Sequence, residues 1–315
     1  MYRRILVPLD GSQLAEETLR YAWELAGRLD LDLDLLHVNV PFESPMLSMS
    51  QIYLDKMAES AREKIQKIQV KTNGKSTPRH IEVKNKVVIG YPAEEILKYA
   101  EENKIDIILM ATHGASGVRR WAIGSVAYQV LHASKVPVWL VRTGIPQEVV
   151  YDKWPQRTIL VPLDGSKLAE SALPHAEALA KQRGVQLIDI SLLSIYAPKI
   201  DPPSYYFQTN YPPTIPLQYA DYVQQEIDQA KTRCEKYLKT IAQGFISKGI
   251  KVRTEAIMGE ASEEIIKYAN KNPFQLIVMA SHGRSGIRHL AFGSVAEKVL
   301  LEVKIPILMI TPSNK

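Results

Sequence analysis

A chain of 315 residues has room for about two domains of ordinary size. With 46% apolar and 23% charged residues, it has the composition of a soluble globular protein, and each half can bury a core. The net charge of +5 comes from basic residues interspersed with acids, which argues against non-specific nucleic-acid binding, and the single cysteine, Cys234, excludes an intrachain disulfide and any multi-cysteine metal site.

The opening MYRRILVPLD is basic and then apolar only as far as Asp10, too short for a signal-peptide core. No run approaches the roughly 18 apolar residues that span a bilayer. The expectation is a soluble protein of the cytoplasm, where a lone thiol stays reduced.

Arg4 to Leu9 reads as a short buried strand. Ser12 is a candidate N-cap, and Leu14, Thr18, Tyr21, Ala22, Leu25 and Leu29 then share one helical face. Leu31 to Val40 reads as a second strand, Ile52 to Val70 as a helix and Ile81 to Ile89 as a third strand. Pro92 suits the first turn of a helix reaching Glu101. Ile105 to Ala111 is the fourth strand, Gly124 to Ala133 a helix, and Val136 to Val141 the last strand. Residues 144–157 contain Gly144, Pro146 and Pro155 without periodicity and read as a linker between a first domain, 1–143, and a second, 158–315.

The second half repeats the plan. ILVPLDGS occurs at Ile5 to Ser12 and again, unchanged, at Ile159 to Ser166. MATHGASGVRRWAIGSVA at Met110 to Ala127 returns as MASHGRSGIRHLAFGSVA at Met279 to Ala296. Strands are expected near Thr158 to Leu163, Val185 to Ile195, Lys251 to Met258, Leu276 to Ala280 and Ile305 to Ile310. The main novelty is 198–216, with six prolines and Tyr205, Tyr206 and Tyr211, which composition bars from a central strand. It reads as an exposed insertion, a lid or a docking arm. Regular strand–helix alternation predicts an α/β fold: two similar doubly wound domains, each a parallel sheet covered on both faces.

In such a sheet, ligands sit beyond the carboxyl ends of the strands where the strand order reverses. Two loops in each half carry suitable chemistry. After the first strand, Asp10 or Asp164 can close a turn or accept hydrogen bonds from a ligand. After the fourth, Gly114 and Gly117, or Gly283 and Gly286, let the backbone approach phosphate oxygens. Gly124-Ser125 and Gly293-Ser294 then add backbone N–H groups, a hydroxyl and the positive end of a helix dipole. His113 and His282 read as residues that tie down loop backbone, Arg284 as a phosphate contact or a solvated side chain, and His175 as packing. Both loops appear twice in register.

Other signatures fail. Asn73-Gly74-Lys75-Ser76 resembles the end of a phosphate-binding P-loop, but Gln69 stands where its first glycine belongs. There is no G-x-G-x-x-G, no H-E-x-x-H and no nucleophile elbow.

At these residues the chain resembles the universal stress protein family in its tandem two-domain form, once per half. The resemblance implies a five-stranded parallel sheet of order 3-2-1-4-5 in each half, dimerisation through the last strand and a role in stress survival. It also implies binding of ATP or another adenine nucleotide, with or without Mg2+. Adenine and ribose contacts would fall on Pro8, Leu9, Asp10, Val38, Met110 and Ala111, and phosphate contacts on Gly114, Gly124, Ser125 and Val126. The matching positions are Pro162, Leu163, Asp164, Ile195, Met279, Ala280, Gly283, Gly293, Ser294 and Val295. Two departures stand out. Ala111 and Ala280 replace the first motif glycine, and Arg284 follows His-Gly in the second half where the first has Ala115.

The resulting expectation is an ATP-binding regulator with up to two sites and no catalytic residues, active as a homodimer or as an intrachain pseudo-dimer through the last strands, without nucleic-acid or membrane partners. A protein-interaction module from the non-binding branch of the family is the alternative, and an enzyme of a related nucleotide-handling fold is a third.

Overall fold

The computed structural model describes residues 1–41, 47–73, 79–112, 123–142, 157–198, 217–282 and 292–311. The first half runs β1 (Arg4–Pro8), α1 (Gln13–Leu29), β2 (Asp32–Asn39), α2 (Leu47–Asn73), β3 (Val83–Ile89), α3 (Pro92–Glu102), β4 (Ile107–Ala111), α4 (Ser125–Ala133) and β5 (Val138–Val141). The second runs β6 (Arg157–Pro162), α5 (Lys167–Glu170), α6 (Leu173–Arg183), β7 (Ile188–Tyr196), α7 (Leu217–Ile246), β8 (Lys251–Met258), α8 (Ala261–Lys271), β9 (Leu276–Ala280), α9 (Ser294–Glu302) and β10 (Ile307–Ile310).

Local chemistry sets most boundaries. Ser12 caps α1 by accepting from the Ala15 amide at 3.1 Å, and Ser166 does the same for α5 from Ala169. Pro174, at the position matching Arg20, cannot donate a backbone hydrogen bond, and the helix of the second half accordingly divides into α5 and α6. The last strands start two residues later than their apolar runs. Pro137 and Pro306 lack a ladder donor, and the Ser134 hydroxyl holds the Val136 carbonyl at 2.6 Å. Helix α2 extends beyond the expected 52–70 at both ends, and its first turns carry exposed Met49 and Ile52, so burial periodicity there is weak.

The strands form one ten-stranded sheet in the order β3-β2-β1-β4-β5-β10-β9-β6-β7-β8. Within each half the neighbours are parallel, and β1 lies between β2 and β4 as β6 lies between β7 and β9. The halves join where β5 meets β10 antiparallel, Trp139 facing Leu308. The last strands are therefore interior to the sheet and not open edges, and β3 and β8 are its outer strands. Pairing within the chain removes an apolar edge that would otherwise invite another strand.

Alternation along the strands feeds two cores. Ile5, Val7, Leu33 and Leu35 pack with α1 and α2, and Leu6, Leu36, Ile108 and Met110 pack with α3 and α4. Both layers continue across the seam: Trp139 and Leu308 belong to the first, Leu140 and Met309 to the second. Polar ties reinforce the join. Gln182 on α6 donates to the carbonyls of Tyr2 and Leu29 at 2.9 and 2.6 Å. His175 is more than packing, because its Nδ1 lies 2.6 Å from the Tyr2 hydroxyl. The linker and nearly all of the proline- and tyrosine-rich segment lie outside the described residues. Among the described residues no helix is long and apolar enough to cross a membrane.

Candidate functional site

Each half opens a cavity at the carboxyl ends of its strands, on the face covered by α3 and α4 or by α8 and α9. The first has a volume of about 270 Å³ and the second about 340 Å³. Strand pairing explains their place. Because β1 is hydrogen-bonded to both β2 and β4, β1 and β4 end side by side, and the helices that follow them, α1 and α4, pack on opposite faces of the sheet.

The structure brings together every described residue singled out in the first half: Pro8, Leu9, Asp10, Val38, Met110, Ala111, Gly124, Ser125 and Val126 all line the first cavity. The second cavity is lined by Pro162, Leu163, Asp164, Ile195, Met279, Ala280, His282, Gly293, Ser294 and Val295. His113, Gly114, Gly117, Gly283, Arg284 and Gly286 lie outside the described residues.

The β1 loop is a tight turn closed by its own aspartate. Asp10 Oδ1 accepts from the Ser12 amide at 3.0 Å and the Ser12 hydroxyl at 2.5 Å, while Gly11 adopts φ +78°, a conformation that glycine reaches without strain. Asp164 Oδ1 likewise accepts from the Ser166 amide at 2.9 Å, with Gly165 at φ +82°. The turn-closing role is thus real in both halves, and the same carboxylates also face the cavities. Beside the first turn, the Tyr53 hydroxyl donates to Glu16 at 3.0 Å, and burial followed by that carboxylate pushes its ionisation up.

The β4 loop returns to its starting point. The Gly124 amide donates to the Thr112 carbonyl at 2.7 Å, and the Gly293 amide to the Ser281 carbonyl at 2.9 Å. Helices α4 and α9 then begin with glycine as N-cap, and no side chain among the described residues is seen to accept from their first amides. Helices α3 and α6 also lack a side-chain cap, whereas α1, α5 and α8 are capped by Ser12, Ser166 and Glu260. Uncapped N–H groups at the mouth of a cavity form an anion-binding feature.

The remaining walls are apolar and were not legible as site residues. In the first half these include Ala15, Leu36, Pro92 and Ile96; in the second, Ala169, Leu193, Ala261 and Ile265. Helical periodicity marks Ile96 as inward-facing but does not say that a cavity lies between it and the sheet. Ser281 and His282 also line the second cavity, Ser281 Oγ lying 3.0 Å from His282 Nδ1. An apolar slot with one carboxylate and a helix N-terminus at its end suits a flat ring carrying an anionic tail. Among the described residues no group of three His, Cys, Asp or Glu side chains could hold a metal. Gln69 lies within α2 and donates to Asp30 and to the Arg79 carbonyl, a structural role that agrees with the failed P-loop match.

A model of the universal stress protein family matches residues 1–142 and again residues 156–311. A universal stress protein of Mycolicibacterium smegmatis is 23% identical over 313 residues, covering 98% of this chain and 97% of that one. Universal stress protein MJ0531 of Methanocaldococcus jannaschii is 28% identical over 149 residues, 45% of this chain and 83% of its own. Among solved structures, a universal stress protein from Archaeoglobus fulgidus superposes with a TM-score of 0.64 at 19% identity, covering 99% of this chain and 97% of that one, a likeness of fold. Matched over both halves, the chain belongs to the universal stress protein family.

Proposed function

We propose that each half, taken as 1–143 and 158–315, holds one adenine nucleotide, ATP in the first instance, and that the chain acts as a ligand-linked regulator in the cytoplasm. The base would lie between the strand ends and α3 or α8, against Val38 and Met110 or Ile195 and Met279. Asp10 or Asp164 would accept from ribose hydroxyls, since a carboxylate has capacity beyond the bonds that close its turn. The phosphates would meet the amides at Gly124 to Val126 or Gly293 to Val295, together with Gly114, Gly117 and His113, or Gly283, Gly286, Arg284 and His282.

The observation that carries this reading is the pairing, in both halves, of an apolar slot with an uncapped helix start at its end. A regulator needs only that the ligand prefer one conformation: a nucleotide at 100 times its Kd stabilises the form that binds it by about 2.7 kcal/mol.

The test is to denature the purified protein, identify released nucleotide by mass spectrometry, and titrate the emptied, refolded chain with ATP, ADP, AMP and cAMP. The cyclic nucleotide is included because a universal stress protein has been solved in complex with it. Release or uptake of an adenine nucleotide is the expected result. Neither release nor uptake would return the chain to the protein-interaction reading.

A further inference from the structure

We propose that the two cavities are energetically coupled through a stack of rings joining α4 to the start of α9. The proposal rests on the nucleotide reading of both cavities.

Helix α4 begins at the first cavity, where Gly124 and Ser125 line the wall. Its last turn carries His132, about 10 Å further along the axis at 1.5 Å per residue. The His132 ring lies 4.0 Å from that of Tyr128 and 4.7 Å from that of Phe292 in the other half, edge-on to both at 67° and 77°. Phe292 immediately precedes Gly293, which lines the second cavity, and its ring stacks at 6.5 Å and 20° on His282, which lines that cavity too. A rigid helix and three ring contacts thus lead from one proposed phosphate end to the other.

A second tie runs the opposite way. Arg142, just past β5, donates to the carbonyls of Leu301 and, at 3.3 Å, Val303, at the far end of α9. The neighbouring Val141 carbonyl accepts from the Thr112 amide at 2.9 Å, and the Thr112 carbonyl accepts from Gly124 at the first cavity. Each proposed phosphate-binding helix is therefore fastened at its tail to the half that holds the other cavity. The positions matching His132 and Arg142 in the repeat are Leu301 and Thr311, so neither tie is duplicated by the internal symmetry.

A nucleotide at either cavity fixes a helix start that shares these contacts. The second nucleotide then meets partners already held, which makes the coupling positive. Calorimetric titration of the nucleotide-free full chain with ATP tests this. ATP at either cavity should raise the affinity of the other about five-fold, the lower end of ordinary coupling. His132→Ala combined with Arg142→Ala should therefore lower the ratio of second to first ATP affinity about five-fold while two ATP still bind. Uptake of only one ATP by the unaltered chain overturns the coupling, and a ratio that both substitutions leave unchanged overturns the proposed route. Uptake of none would instead contradict the reading of the cavities.

Discussion

The Tyr2 hydroxyl lies 2.6 Å from Nδ1 of His175, tying the segment before β1 to α6 of the other half. Burial pushes the tyrosine's ionisation up, so it stays protonated and donates, leaving the imidazole neutral with its proton on Nε2. Burial also pushes the His175 value down. The sign follows. A base with a depressed folded-state value contributes stability that is present above its unfolded value, about 6.5, and is lost as pH falls toward the folded value. Denaturant unfolding should therefore show a drop in stability between about pH 7.5 and 5.5 that His175→Gln removes. Tyr2→Phe should cost about 1 kcal/mol at pH 7.5.

Asp34 predicts the opposite slope. It is fully buried in β2, accepting from the Tyr99 hydroxyl at 3.0 Å, with Arg4 at 3.6 Å. Burial raises its carboxyl above the usual range, and the Arg4 charge offsets only part of that. A raised acid contributes stability that is present below its unfolded value and is lost as pH rises through the folded one. Asp34→Asn should raise Tm at pH 7 and leave it nearly unchanged near pH 3.5. Arg4 keeps Glu82 at 2.8 Å and Asp32 at 3.6 Å, and the matching position in the second half is a buried neutral residue, Ser191. Calorimetric melting at the two pH values checks this; a fall in Tm at pH 7 would mean that the Arg4 attraction dominates.

The antiparallel seam should carry much of the stability. Trp139 is 1% exposed and sits opposite Leu308 in the layer shared by both halves. Trp139→Ala should cost about 3–5 kcal/mol, the usual range for a buried large aromatic. Equilibrium urea unfolding measures it, and a loss below about 1 kcal/mol would show that the halves do not depend on that contact.

The two cavities should differ in affinity. Arg284 follows His-Gly in the second half where Ala115 stands in the first. A charge-assisted hydrogen bond contributes about 1.5–3 kcal/mol, tenfold or more in affinity. ATP affinity should therefore fall further in Asp164→Ala than in Asp10→Ala, measured by calorimetry on each variant. The reverse order would remove Arg284 from the account.

Much of this was legible because the repeat printed each constraint twice. Asp10-Gly11-Ser12 and Asp164-Gly165-Ser166 can be read as turns from glycine and aspartate chemistry alone, and both fold that way. Gly124 and Gly293 mark helix starts for the same reason. The cavity walls from Ile96 and Ile265 were not legible, because a residue lining a cavity and one filling a core follow the same helical period. Nor could the seam be chosen from sequence. The apolar runs ending at Val141 and Ile310 suit an edge paired within the chain as well as one paired between chains, and only tertiary packing selects Trp139 against Leu308. The Tyr2–His175 contact joins residues 173 apart that no local pattern relates.

The twofold nucleotide cradle is tested most directly by stoichiometry. Ser125 and Ser294 are exposed first residues of α4 and α9 that line the two cavities, and glutamate at a helix start suits the dipole, so Ser125→Glu and Ser294→Glu should fold while placing a negative charge where phosphate would sit. Calorimetry of the nucleotide-free chain should find about two ATP per chain in the unaltered protein, about one in each single variant and none in the double. Two ATP bound by either single variant, or none by the unaltered chain, would contradict the account.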